Sequence, residues 1–367
     1  MFITLADGSE NFLSDGDSYE IVDDGSTLDA ALFSKEDLTI NGSGSLTVNG
    51  NYKHGIVSKD DLVITGGIIT ITSVKAGIDG KDCVKIGGGT IRITAGSDGI
   101  RSSNDEDTSR GYIYISGGTI DIGKSYEGIE ATNVTISGGT ISIVASDDGI
   151  NGAGGNDGSS LGGRPGQGMF TGSTGTITIS GGYIVVDASG DGIDSNGTLT
   201  VTGGITLVAG PTNSGNGAID YETSGTVTGG IVIALGASGM AQGFSAAENQ
   251  GANHCSFSTQ SAGQSFCICD ADGTVIASFT ALKSYQSAVI TAPGIQSGST
   301  YTLYSGAVIT DADENGFAQD TTKTGGTVIT QITMTSNLYG SSGSGSGGMP
   351  GGIGGDPGGK GGGGMRP

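Results

Sequence analysis

One short phrase recurs along the chain and restricts what it can fold into. It reads Asp98-Gly-Ile-Arg101, then Glu127-Gly-Ile-Glu130, then Asp148-Gly-Ile-Asn151. Each copy leads into an apolar-alternating run, a glycine pair and a second alternating run, as in Val134-Thr-Ile-Ser-Gly-Gly-Thr-Ile-Ser-Ile143. The first glycine of the phrase falls at Gly55, Gly77, Gly99, Gly128, Gly149, Gly192 and Gly217, in steps of 22, 22, 29, 21, 43 and 25 residues. The base period is about 22 residues, with insertions, and a period of this size means repeats that bury their apolar faces only by stacking on one another.

Within each repeat the period is two. Leu62/Ile64, Val84/Ile86, Ile177/Ile179 and Leu199/Val201 point one way, and Val63, Lys85, Thr178 and Thr200 point the other. The runs are short and rich in Ile, Val and Thr, with glycine pairs at the bends. Three short strands per repeat predict an all-β chain: a right-handed parallel β-helix of about eight coils over residues 31–236. The Leu/Asn framework of a leucine-rich repeat is missing, and a nine-residue calcium β-roll has the wrong period. Residues 1–30, with strand-like runs at 2–5 and 19–22, are expected to cap the first coil. Residues 237–337 lose the period, and the Asp-Gly turn inside Phe266–Phe279 predicts a hairpin in a small antiparallel cap module. Residues 338–367 are rich in Gly, Ser and Pro and are expected to be a disordered tail.

Two insertions break the period at the same corner, around 104–110 and 152–175, while the repeat between them carries none. Glu127 and Glu130 are therefore expected on the floor of a cleft between two loops, unless the glycine-rich loop is mere filler.

Stacking turns equivalent positions into columns. The position before the glycine reads His54, Ala76, Asp98, Glu127, Asp148, Asp191, Asn216. The position after the isoleucine reads Val57, Asp79, Arg101, Glu130, Asn151, Asp194, Asp220. Like charges at strand spacing repel, and within the columns only Arg101 offsets them. Protons or metal ions must supply the balance. Asp, Glu and Asn dominate and His is nearly absent, which points to a hard divalent ion, with Ca2+ expected. The candidate ligands are Asp79, Asp98, Glu127, Glu130, Asp147, Asp148, Asn151, Asp191, Asp194 and Asp220. The alternative is a set of solvated corner carboxylates. A weaker calcium signal, Asp311-Ala-Asp-Glu-Asn-Gly316, matches half of an EF-hand loop, with a plain Asx turn as the alternative.

With 37 acidic against 15 basic residues, the chain is unsuited to nucleic acid or anionic membranes. No run of 18 apolar residues would span a bilayer. The N-terminal residues lack the pattern of a secretory leader and read as those of a mature or trimmed chain. Of four cysteines, Cys83 is expected to be a buried strand residue, whereas Cys255, Cys267 and Cys269 lie near His254. For these three a disulfide or plain packing is favoured over a metal site.

The Ser-Lys-x-Asp-Leu-x-Ile opening at 34 and 58, the x-Gly-Ile-x corners, Ile-Ser-Gly-Gly-Thr-Ile, Ser-Asp-Asp-Gly-Ile-Asn-Gly-Ala-Gly-Gly and the glycine-rich tail together resemble a known family. It is the bacterial calcium-containing β-helix carbohydrate-binding domain family, once catalogued as a domain of unknown function. The resemblance covers about residues 30–337. It implies a fold like that of pectate lyases, calcium between coils, and binding of polygalacturonate (more loosely, cellulose) without cleavage. Calcium bridging would let a chain of formal charge −22 hold an acidic plant polysaccharide outside the cell, as a secreted or surface monomer. Arg101, Tyr126, Lys81 and Tyr112 are candidate glycan contacts, with Tyr114 and Tyr183 as further candidates to pack on sugar rings. Ordinary strand packing is the alternative for the tyrosines. Two other functions stay open. One is a calcium-dependent polysaccharide lyase using Arg101 or the nearby Lys75, Lys81 and Lys85. The other is a structural surface protein or adhesin.

Overall fold

The computed structural model describes residues 1–19, 28–104, 107, 109–152 and 175–340. Among these every regular element is a β-strand. The repeats pair strand for strand. Ile78, Ile100, Ile129, Ile150, Ile193 and Ile219 face one another in parallel register. They build an eight-stranded sheet of short strands running from Ala30–Ser34 to Ile219–Tyr221. A larger sheet takes the remaining strands of each repeat, for example Cys83–Ile86 and Thr90–Ala95. In later repeats these two merge into one bent strand, Tyr112–Ser125, Asn133–Ala145 and Thr176–Ala188, with the register shifting at the glycine pair.

The glycine pairs have a steric cause. The second glycine of each pair sits in the left-handed region, with φ of 94° at Gly118, 96° at Gly139 and 93° at Gly182. A side chain disfavours that conformation. The corner glycines are needed for space instead. A Cβ on Gly128 would stand 2.3 Å from the Gly149 carbonyl oxygen and 2.3 Å from Ile143 Cγ2.

The Ile, Val and Leu columns meet inside the stack. Ile100, Ile129, Ile113, Ile115, Ile136 and Ile177 are fully buried. Each such side chain contributes about 1.5–3 kcal/mol by leaving water.

The two ends differ from expectation. Phe2–Leu5 pairs in parallel with Leu38–Gly42, and Glu10–Ser14 with Ser45–Gly50. The N-terminal segment is thus one more rung of the same stack. The expected strand at 19–22 falls largely on residues outside the described set. At the other end, Leu338–Tyr339 pairs with Ala252 and Asn253, so the folded chain extends beyond residue 337; 341–367 lie outside the described residues.

The C-terminal region is antiparallel, with a four-stranded sheet of Ser265–Cys269, Val275–Thr280, Thr300–Ile309 and Lys323–Thr333. The hairpin turns at Gly273, φ 86°, where the Asp270 carboxylate accepts from the Thr274 amide at 2.8 Å. Tyr285–Thr291 pairs antiparallel with Ile231–Gly236, joining the module to the last rung. The module also covers a flank of the stack. Val185, Leu207, Ile233 and Leu235, outward-facing residues that turn apolar only in the last repeats, share a core with Phe266, Phe279 and Tyr301. Tyr183 is drawn in as well: its hydroxyl donates to Asp313 Oδ2 at 2.6 Å and its ring meets Phe317 edge-on. It is engaged within the protein rather than presented to a sugar.

All four cysteines are buried and free, so the disulfide reading does not hold. Cys267 and Cys269 pack with Val275 and Ala307.

Candidate functional site

The second column forms as the spacing requires. Val57, Asp79, Arg101, Glu130, Asn151, Asp194 and Asp220 stand opposite one another in unbroken parallel register. The first column holds from Ala76 through Asp98, Glu127 and Asp148 to Asp191, each carbonyl accepting from the glycine amide of the preceding rung. It then departs from the reading. Gly192 donates to Gly217 and Ile193 to Ala218, so Gly217 occupies the next place and Asn216 leaves the column.

Corner strands of two or three residues set side chains of both columns close together, and the carboxylates gather in groups. Asp98, Glu127 and Glu130 form one group, all buried, with oxygens within 4.8 Å of one another. Asp148, Asp191 and Asp194 form the second, partly exposed, within the same limit. Oxygens that bind one hard cation at about 2.3–2.6 Å lie no more than about 5 Å apart. Both groups therefore have the dimensions of an oxygen-only cation site.

The surroundings of the groups differ. Beside the first, the Arg101 guanidinium donates to Asp79 Oδ2 at 2.7 Å and lies 3.2 Å from Asp98 Oδ2. Burial works against the charged forms here. Arg101 nonetheless keeps Asp79 below the usual carboxylate range, and the two carboxylates hold Arg101 protonated. Asp79 is thus committed to Arg101 and stands outside both groups. Asn151 is 1% exposed; its Nδ2 donates to Glu127 Oε2 at 3.2 Å, and its Oδ1 has no hydrogen-bond partner among the described residues. That leaves a neutral oxygen at the edge of the first group. Glu127 and Glu130, expected on the floor of a cleft, are both buried. Most of the loop that would wall it, 153–174, lies outside the described residues.

At the second group, Asp148 Oδ1 accepts from the Asp191 amide at 2.6 Å, and Asp191 Oδ1 from the Gly217 amide. Among the described residues neither Asp148 nor Asp191 is in an ion pair. Burial, then the charges of Asp191, Asp194 and Asp147, push Asp148 up to about 9. Burial raises Asp191 to about 7 against the Gly217 hydrogen bond. Burial also raises Asp220, one rung beyond. Asp147 flanks the group and binds the hydroxyl of the half-buried Tyr126, which burial and this bond raise.

A third group was missed: Asp37, Asp60 and Asp61, again within 4.8 Å. The repeated Ser-Lys-x-Asp opening could have disclosed it. It has its own counter-charge, since Lys85 Nζ lies 3.1 Å from Asp61. Lys81 and Tyr112 line the cavities at this corner, away from the two acidic groups. Tyr114 is exposed, its hydroxyl accepting from Ser137 at 3.1 Å. The half EF-hand is an Asx turn: Asp313 Oδ1 accepts from the Asn315 and Phe317 amides, each at 2.9 Å.

An all-β protein of stacked parallel repeats, with carboxylates grouped along one corner, is the class that fold and site define. A family model for carbohydrate-binding domain-containing proteins matches residues 1–213, and the chain belongs to that family. A carbohydrate-binding domain-containing protein of Acetivibrio thermocellus is 52% identical over 130 residues, 35% of this chain and 46% of the relative. The match thus spans about half of that relative's length. A solved polysaccharide lyase-like protein from C. thermocellum, a gadolinium derivative, is 31% identical, covering 55% of this chain and 64% of its own, with a TM-score of 0.38.

Proposed function

We propose that the chain is a right-handed parallel β-helix that binds acidic polysaccharide of the polygalacturonate type through calcium, without cleaving it. Family membership supports carbohydrate as the ligand. The observation that carries the calcium reading is the pair of three-carboxylate groups on consecutive rungs, each within 4.8 Å. Two such groups in a chain of formal charge −22 call for cations.

The groups take different roles. The buried one, Asp98, Glu127 and Glu130 with Asn151 Oδ1, encloses its ion and consolidates the stack. The partly exposed one, Asp148, Asp191 and Asp194, leaves part of an ion's coordination shell open. A calcium there supplies the positive charge that a uronate carboxylate needs. Tyr126 and Asp147 flank it and offer a ring edge and an acceptor to sugar hydroxyls. Such a domain works outside the cell, where calcium is plentiful and plant polysaccharide is met.

Calorimetry separates the roles. Asp191→Asn should lose calcium-dependent binding of oligogalacturonate, whereas Glu127→Gln should lose a calcium equivalent and thermal stability while a folded variant still binds glycan. Equal glycan affinity with calcium and with chelator would sink the reading. A lyase would need a basic group beside the ion, and Arg101 is pinned by Asp79 and Asp98. Absence of unsaturated products from polygalacturonate in calcium buffer is the expected result.

A further inference from the structure

The two acidic groups are one constellation repeated. Asp98 and Glu127 follow each other in the first column, where the Gly99 amide donates to the Glu127 carbonyl at 2.9 Å, and Glu130 completes that group from the second column. Two rungs on, Asp148 and Asp191 follow each other through the Gly149 amide and the Asp191 carbonyl, again at 2.9 Å, and Asp194 takes the place of Glu130. Each group therefore spans two rungs and has a fourth corner, the residue after the isoleucine on its first rung. In one group that residue is Arg101, the register partner of Glu130. In the other it is Asn151, the register partner of Asp194. The fourth corner is thus a cation in the first group and a neutral amide in the second.

Arg101 is fixed at its corner. Its guanidinium lies 2.7 Å from Asp79 Oδ2 and 3.2 Å from Asp98 Oδ2. Burial opposes its charge, and Asp79, Asp98 and Glu130 together hold it protonated. A full positive charge therefore rests against one carboxylate of the buried group. That this group is built for an ion as well is marked by Asn151 on the next rung. It is 1% exposed, its Nδ2 donates to Glu127 Oε2 at 3.2 Å, and its Oδ1 has no hydrogen-bond partner among the described residues.

The affinity of an oxygen site for a hard cation follows the charge of its ligands and how firmly they are held. Arg101 draws on Asp98, and a guanidinium beside a divalent ion repels it. At the second group the neighbouring charge has the opposite sign, since Asp147 acts on Asp148 there.

We propose that Arg101 sets the calcium affinity of the buried group, as a resident cation that holds it below what the three carboxylates would give alone. Arg101 is a positioning residue that acts through Asp98. The inference rests on the reading that the acidic groups bind calcium, and its test separates the two. The whole chain carrying Asp191→Asn is titrated with calcium by calorimetry, so that the buried group supplies the signal. Adding Glu127→Gln should abolish that signal. Adding Arg101→Gln instead should raise the affinity about tenfold or more, while Arg101→Lys, which keeps the charge, should stay within about threefold of the starting protein. Asp79→Asn should act in the opposite direction and lower the affinity about tenfold, because Arg101 then turns its charge on Asp98. Both Arg101→Gln and Asp79→Asn break the same ion pair, so a merely structural role would move the two the same way. Unchanged or weaker binding in a folded Arg101→Gln protein overturns the inference and leaves the calcium reading standing. So does unchanged or tighter binding in Asp79→Asn, which decides alone if Arg101→Gln does not fold. No calcium signal in the Asp191→Asn chain, or one that survives Glu127→Gln, overturns the buried ion site and this inference with it.

Discussion

Burial drives the Asp148 carboxyl up to about 9 and Asp191 to about 7, so without a cation each keeps a proton well above its ordinary range. An unfolded Asp ionises near about 4. As pH rises, the unfolded chain releases these protons first, and the ion-free native state loses stability from about pH 4 through about 9. Melting temperature in EDTA should fall across that window. On the proposed calcium reading the ion displaces the same protons, so its affinity should rise with pH through about 7 to 9, and titrations in two buffers should show proton release. Asp148→Asn removes a ligand and, in chelator near pH 7, also the cost of the proton that Asp148 must take up on folding. In chelator Asp148→Asn should therefore melt above the wild type, and in calcium below it. A protein that melts identically with and without chelator, and is stabilised by both Asp148→Asn and Glu127→Gln, would rule out the calcium reading.

At the scale of the element, the corner strand Ile129–Glu130 is only two residues long and depends on its neighbours. Ile129 is fully buried between Ile100 and Ile150. Ile129→Ala should cost about 2–5 kcal/mol in chemical denaturation. Gly128→Ala attacks the same corner differently. Its Cβ would meet backbone oxygen at 2.3 Å, so adjacent rungs must part. That change should weaken calcium binding as well as stability, because Glu127 and Glu130 flank it. Normal calcium affinity in a destabilised Gly128→Ala protein would show that the rungs and the ion sites are not coupled.

For the whole molecule, circular dichroism should show strand with almost no helix. Chelation should lower the melting temperature of the intact chain, since a ligand bound only by the native state stabilises it by mass action. The C-terminal module shields the stack. Deleting residues from 237 onward would uncover Val185, Leu207, Ile233 and Leu235 together with the open edge of Ile231–Gly236. The shortened chain should self-associate in sedimentation, by exposed apolar surface and an unpaired edge. A monomeric, stable truncation would show the module to be dispensable for the fold.

The sequence by itself determined the strands, their parallel order and the columns. A repeat of about 22 residues leaves each apolar face only one way to be buried, so the register from Asp79 to Asp220 follows from spacing alone. It also determined which corner is acidic. The tertiary structure decided how the carboxylates group and how open each group is. Glu127 and Glu130 are buried, with Asn151 donating to Glu127, and no pattern of residue types encodes that depth. Arg101 could have faced several acids, and its reach and geometry selected Asp79 and Asp98. Asn216 left its column because the Gly192 amide bonds to the Gly217 carbonyl, a pairing that the spacing of the phrase does not give. Arg110 folds back to Asp82 across 28 residues of chain, a contact that local sequence does not announce.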